Sequence, residues 1–201
     1  MAEEAQKKSR GRPKTMDRMR TLKVAMESYW DEGVHSISLN EICRRADVSK
    51  PSLYREFGGE DELMLAVLEH YIETVFSSMV ELIESDRPFA GVLHDLVHAV
   101  TGQRDTPAGC MVVKMGATSS ELGPLTAARL KQFRQEYLLV YEGWVKRAQG
   151  RKEINLEIPV KLAASYLDSQ LSMILTQMAT GEEPSLVRAK AELAFRPLIH
   201  L

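Results

Sequence analysis

The twenty residues from Ser38 to Phe57 constrain this chain more than any other stretch. Ser38-Leu39-Asn40-Glu41 has the form of a capping box, in which serine and glutamate satisfy each other's open backbone N–H groups. Leu39, Ile42, Cys43 and Ala46 then recur at helical spacing. Asp47-Val48 makes a turn, since Asp tolerates the left-handed conformation better than most residues. Ser49 caps the next helix, with Pro51 in its first turn, where a missing N–H costs nothing. Leu53 and Phe57 are its inward pair, and Gly58-Gly59 breaks it.

Helical periodicity governs the rest. Leu22, Ala25, Met26 and Tyr29 mark a first helix that starts near Thr15 and ends at Gly33. A fourth begins with the acids Glu60, Asp61 and Glu62, which suit a helix N-terminus, and runs to about Ser85. It carries two apolar stripes, one of Leu63, Val67 and Tyr71, the other of Leu65, Leu68, Ile72, Val75, Met79 and Ile83. A helix apolar on two sides is buried on two sides, so it reads as a strut between an N-terminal unit and a larger C-terminal one. Five more follow: Phe89–Gly102, Cys110–Glu121, Pro124–Gln149, Pro159–Thr180 and Ser185–Ile199. The expected fold is all-α, about nine helices: a basic arm over 1–14, a helix-turn-helix unit over 15–71 and a helical unit over 72–201.

Composition narrows the class. The net charge is −2, from 26 Lys+Arg against 28 Asp+Glu. The sum hides an asymmetry, because the first 58 residues are net basic and the remainder net acidic, as at a nucleic-acid-facing end. An apolar fraction of 44% suits a globular core. Two cysteines exclude a multi-disulfide scaffold. The first residues lack the apolar stretch of a signal peptide, and no run of about 18 apolar residues points to a membrane. The expectation is a cytoplasmic protein with no membrane partner.

The helix from Ser49 presents Lys50, Pro51, Ser52, Tyr54 and Arg55 outward. Cations and hydroxyls reach phosphates and base edges, and a proline ring can touch a thymine methyl. Ser38 opens the preceding helix, and Arg44 and Arg45 sit where that helix would cross a DNA backbone. The same faces suit a helical hairpin with a solvated surface. In the arm, Arg10-Gly11-Arg12-Pro13 has the core of the AT-hook pattern. Glycine lets the backbone sink into a narrow minor groove, and the arginines lie along its negative floor. A solubilising tail would have a similar composition.

From Arg20 to Tyr71 the chain resembles the N-terminal domain of the TetR family of bacterial transcriptional repressors. The resemblance rests on Ser-Leu-Asn-Glu-Ile-Cys-Arg-Arg-Ala-Asp-Val-Ser-Lys-Pro-Ser-Leu-Tyr-Arg-Glu-Phe from Ser38 to Phe57, continuing through Gly58-Gly59-Glu60-Asp61-Glu62-Leu63. It implies a homodimer that binds a palindromic double-stranded operator and releases it when a small molecule enters the C-terminal unit. Four positions depart from the usual pattern. Asp47 and Pro51 stand where glycine is common, Glu56 where histidine or a polar residue is frequent, and Glu60 where a lysine often touches phosphate. The family arrangement also implies pairing of the last two helices with their symmetry mates, through Leu162, Tyr166, Ser169, Met173, Gln177, Ala189 and Leu193.

The remaining residues suggest an effector pocket, a metal or a plain core. Phe76, Met79, Tyr137, Tyr141 and Trp144 suit an adaptable apolar pocket, with Gln170 on its far wall and His94, His98 and Cys110 as its polar corner. His94-Asp95-Leu96-Val97-His98 resembles the zinc-protease pattern with Asp for Glu, which keeps a metal sensor or metal-dependent enzyme open as alternatives. Cys110 opens a helix, a position that can make a thiol reactive. The reading is therefore a regulator rather than an enzyme. It has no cofactor, no catalytic set and no metal, and its effector is small, apolar or aromatic, and electrophilic if Cys110 reacts. A constitutive architectural DNA-binding protein is the third alternative.

Overall fold

The structure, a computed structural model, describes residues 16–102 and 106–199. Arg10, Gly11, Arg12 and Pro13 lie outside the described residues. The elements are α1 (Arg18–Glu32), α2 (Leu39–Ala46), α3 (Lys50–Phe57), α4 (Glu60–Tyr71), α5 (Ser77–Glu84), α6 (Phe89–Thr101), α7 (Met111–Ala117), α8 (Pro124–Gly150), α9 (Val160–Ala179) and α10 (Pro184–Phe195). A π-helical turn, Ile72–Phe76, joins α4 to α5, so the two form one rod. Counting that rod once gives nine helices among the described residues. Ile154 and Ile199 form a single antiparallel bridge and no strand.

Helix ends follow local chemistry. Asp17 caps α1 through the Arg20 amide, Ser38 caps α2 through Glu41, and Ser49 caps α3 through Ser52. Asp47 ends α2 in the left-handed conformation at φ 58°. Gly58, between α3 and α4, has φ 106°, a conformation side chains resist. The capping box is only half formed. Glu41 turns its carboxylate to Arg44 and Arg45 instead, because three charge-assisted bonds outweigh one bond to an amide.

α1 and α3 pack on α4, α2 packs between α1 and α3, and the rod leans on α8. α8 and α9 run against each other, with α10 across α9 and α6. Buried apolar residues from Leu22 to Leu198 make one contiguous core that crosses both expected units. The rod Glu60–Glu84 is apolar and long enough by composition to cross a membrane. Here Leu63, Val67, Leu68 and Tyr71 of that rod are buried within the fold. The second stripe is shallower, since Leu68 and Ile83 are buried while Leu65, Ile72, Val75 and Met79 are half-buried. The π turn inserts one extra residue and re-aims the faces on either side of it.

Candidate functional site

α3 is held by the fully buried Leu53 and the half-buried Phe57, the inward pair, with its other face outward. Lys50, Pro51 and Arg55 are exposed, and Ser52 and Tyr54 half-buried. Ser49 and Ser52 are engaged at the cap, with their hydroxyls 2.9 Å apart. Lys50 lies over the Tyr54 ring at 5.5 Å. Glu60, at the start of α4, reaches both of them: its carboxylate is 3.9 Å from the Lys50 ammonium and accepts from the Tyr54 hydroxyl at 3.3 Å. An acid at the start of α4 thus holds two outward residues of α3.

The two arginines of α2 differ. Arg44 is largely exposed and pairs with Glu41. Arg45 is drawn inward, bonding Glu32 of α1 and Glu41 and donating to the Ser28 hydroxyl at 3.1 Å. Bonds from Arg44 and then Arg45 hold the Glu41 carboxyl down to about 2. Arg45 therefore ties α2 to α1 through exposed ion pairs, whereas Arg44, among the described residues, pairs only within α2.

Behind α4 lies a cavity of about 630 Å³. Its wall takes Trp30 from α1, Tyr71 from α4, Thr74, Val75 and Phe76 from the π turn, and Met79 from α5. Cys110 and Gly116 come from the α7 region, Arg134, Phe133, Tyr137 and Tyr141 from α8, and Asp168, Leu171, Ser172 and Leu175 from α9. The rings form a chain: Trp30 meets Tyr71 edge-on at 4.9 Å, Tyr71 meets Phe76 at 5.7 Å, and Phe76 meets Tyr137 at 5.0 Å. The Tyr71 hydroxyl donates to Cys110 Sγ at 3.4 Å and accepts from the Met111 amide at 3.3 Å. Burial pushes the Tyr137 and Tyr141 hydroxyls well above their usual range. It also raises Asp168, against the pull of Arg134.

The cavity gathers Phe76, Met79, Cys110, Tyr137 and Tyr141, and leaves out four expected members. His94 and His98 stack at 4.1 Å on the outer face of α6, beside a separate groove against α10. On that helix Ala99 and Val100 face the cavity, and the histidines point elsewhere. His94 also touches Asp95, which Arg87 holds at 2.7 Å. Among the described residues no three His, Cys, Asp or Glu side chains gather as metal ligands. Trp144 lies beyond the cavity's end, packed on Phe89 at 4.4 Å. Gln170 points away because 168, 171, 172 and 175 form the inward face of α9, and a residue two positions from 168 is turned about 200° from it. Sequence reasoning missed Asp168, Arg134, Trp30 and Tyr71 as cavity residues. An acid within the apolar row Ala164, Leu167, Leu171 was the available signal for Asp168.

α9 and α10 expose apolar side chains in a row: Leu162 at 61%, Met173 at 54% and Leu193 at 64% exposure. Ser169 and Ala189 are exposed with them, and Gln177 is half-buried. Tyr166 differs, since its hydroxyl donates to the Ala194 carbonyl at 2.5 Å and binds α9 to α10 within the chain.

Comparison with known proteins agrees with this geometry. Residues 22–67 match the family model described as bacterial regulatory proteins, tetR family. The HTH-type transcriptional repressor ComR of Escherichia coli K12 is 30% identical over 166 residues, covering 81% of this chain and 79% of ComR. The HTH-type transcriptional activator FasR of Mycolicibacterium smegmatis is 39% identical, over 67 residues that cover 33% of this chain and 31% of FasR. Among solved structures, a cysteine mutant of the TetR family regulator CifR bound to 26-base-pair operator DNA superposes with a TM-score of 0.80. It is 21% identical and covers 94% of this chain and 100% of its own.

Proposed function

The chain belongs to the TetR family of bacterial regulatory proteins and is a transcriptional regulator; from that premise we propose that it is a ligand-released repressor acting on a palindromic operator as a homodimer in the cytoplasm. The presentation of Lys50, Ser52, Tyr54 and Arg55 on a helix whose inward side is Leu53 and Phe57 carries the reading. α3 enters the major groove, and the amide groups at the start of α4 and the Arg44 side chain meet phosphates. Residues 15–71 act as the DNA-binding unit. Residues 1–14 reach the adjacent minor groove through Arg10 and Arg12. ComR, named a repressor and similar over most of its length, favours repression over the activation that FasR's name records.

Residues 72–201 sense and dimerise. The exposed row Leu162, Met173 and Leu193 supplies the apolar centre that a twofold interface needs. A small molecule fills the cavity behind the π turn. A ligand shifts an equilibrium only by its difference in affinity between two shapes. The cavity wall includes Trp30 of α1 and Tyr71 of α4, so an occupant presses directly on helices that hold α3. Displacing them breaks the match between two recognition helices and one DNA turn of about 34–36 Å. The test is selection from a randomised duplex pool with the full chain. Enrichment of a palindrome with half-sites one turn apart supports the reading, and a pool with no enriched sequence refutes it.

A further inference from the structure

Asp168 is the carboxylate in the cavity wall. It lies on the inward face of α9 with Leu171, Ser172 and Leu175 and is half-buried. It makes no hydrogen bond or ion pair among the described residues. Arg134 on α8 lines the same wall but rests its exposed guanidinium over Gly116 and forms no ion pair with Asp168; Arg134 and the exposed Lys131 also line an adjoining open pocket that Asp168 borders. In the same wall, the Tyr137 hydroxyl is buried beside that of Tyr141 and meets no acceptor or donor at full hydrogen-bond geometry among the described residues. Phe76, Phe133 and Tyr141 complete that side.

A desolvated charge without a partner is costly, and burying it further under a neutral occupant costs more. An anionic occupant adds repulsion, while the exposed Arg134 has water to satisfy it. An ammonium ion reverses the sign. It gives Asp168 a charge-assisted hydrogen bond, gives the Tyr137 oxygen a donor, and meets rings whose faces attract cations. We propose that the cavity takes an organic ammonium ion, its charged head between Asp168 and Tyr137 and its apolar body among Phe76, Phe133 and Tyr141. The inference rests on the reading of this cavity as the effector site and names the chemical class of the effector.

The test uses the full chain and three matched probes: 4-phenylbutylamine, 4-phenylbutanol and 4-phenylbutanoate, titrated by calorimetry near neutral pH. The amine is expected to bind about tenfold tighter than the alcohol, the step that one charge-assisted bond supplies, and the carboxylate weakest. Asp168→Asn removes the amine's advantage, weakening the amine while the alcohol, no longer covering a buried charge, binds at least as tightly as before. Equal binding of amine and alcohol to the unmodified chain overturns the inference without any variant, and leaves the cavity as an effector site for neutral molecules. An Asn variant that keeps the preference overturns it too. Failure of all three probes to bind a chain that still binds its operator overturns both the inference and the effector reading.

Discussion

The Asp61 carboxylate of α4 caps a helix sixty residues away: it accepts the Thr126 amide at 3.0 Å and the Thr126 hydroxyl at 2.6 Å, at the start of α8. The Leu125 amide joins them at 2.8 Å. A few residues on, Arg129 of α8 donates to Glu69 of α4 at 2.6 Å. The rod and α8 are thus bonded at two heights. Burial pushes the Asp61 carboxyl up, but the hydrogen bonds from Thr126 and Leu125 together hold it below its ordinary value.

Asp61→Ala removes that cap and should lower stability by about 1–2 kcal/mol in urea unfolding. The acid limb carries a further signature. A depressed carboxyl contributes stability that is present above its unfolded pKa and lost as pH falls through its folded one. Asp61→Asn should therefore flatten the stability curve below the ordinary carboxylate pKa while leaving its neutral shape alone. An unchanged acid limb would mean that the bonds to α8 carry no net stabilisation.

The two arginines of α2 should separate cleanly. Arg45→Ala should lower the thermal midpoint, because Arg45 bridges α2 to Glu32 and Ser28 of α1. Arg44→Ala should leave the midpoint alone. It should weaken binding to all duplexes alike and reduce the slope of log K against log salt by about one. The opposite pattern, with Arg45 governing the salt slope, would reverse the roles.

Trp30 donates to the Gly109 carbonyl at 3.2 Å, linking α1 to the loop that carries Cys110. Gly109 has φ +81°, and a Cβ there would fall 2.7 Å from that of Ala179. Gly109→Ala should cost about 1–3 kcal/mol of stability. Trp30→Phe, which keeps an aromatic six-membered ring but deletes the donor with the smaller ring of the indole, should leave operator affinity intact and weaken ligand-induced release. Full release by the Phe variant would remove this bond from the route.

Met173→Glu should convert the dimer to monomers in sedimentation at micromolar concentration. Operator affinity should fall with it, because two half-sites held together act at high effective concentration. A dimer that survives the change would move the interface off the exposed row of α9 and α10.

Local chemistry explains what was readable beforehand. Ser38, Asp47, Ser49 and Pro51 act within three or four residues of themselves, so α2, its turn and α3 follow from sequence alone. The cavity depends on which face of each helix turns inward. Phe76, Met79, Tyr137 and Tyr141 lie on inward faces, whereas His94, His98 and Gln170 sit a fraction of a turn away on theirs. Trp144 is on the right face of α8 but one turn too far along. The π turn has no local signature, since Ile72 to Phe76 reads as ordinary helix. The ties from Arg45 to Glu32 and Ser28 were not legible either, because those partners belong to another helix, which the spacing of α2 does not reveal.

The central claim is that α3 reads DNA bases. Fluorescence anisotropy of the enriched palindrome against a scrambled duplex, with the unmodified chain, Lys50→Ala and Arg55→Ala, tests it most directly. The unmodified chain should prefer the palindrome, and each variant should lose about 1–3 kcal/mol of that preference at one position of the half-site. Two variants that bind the palindrome with unmodified strength and selectivity would contradict the claim and remove α3 from the interface.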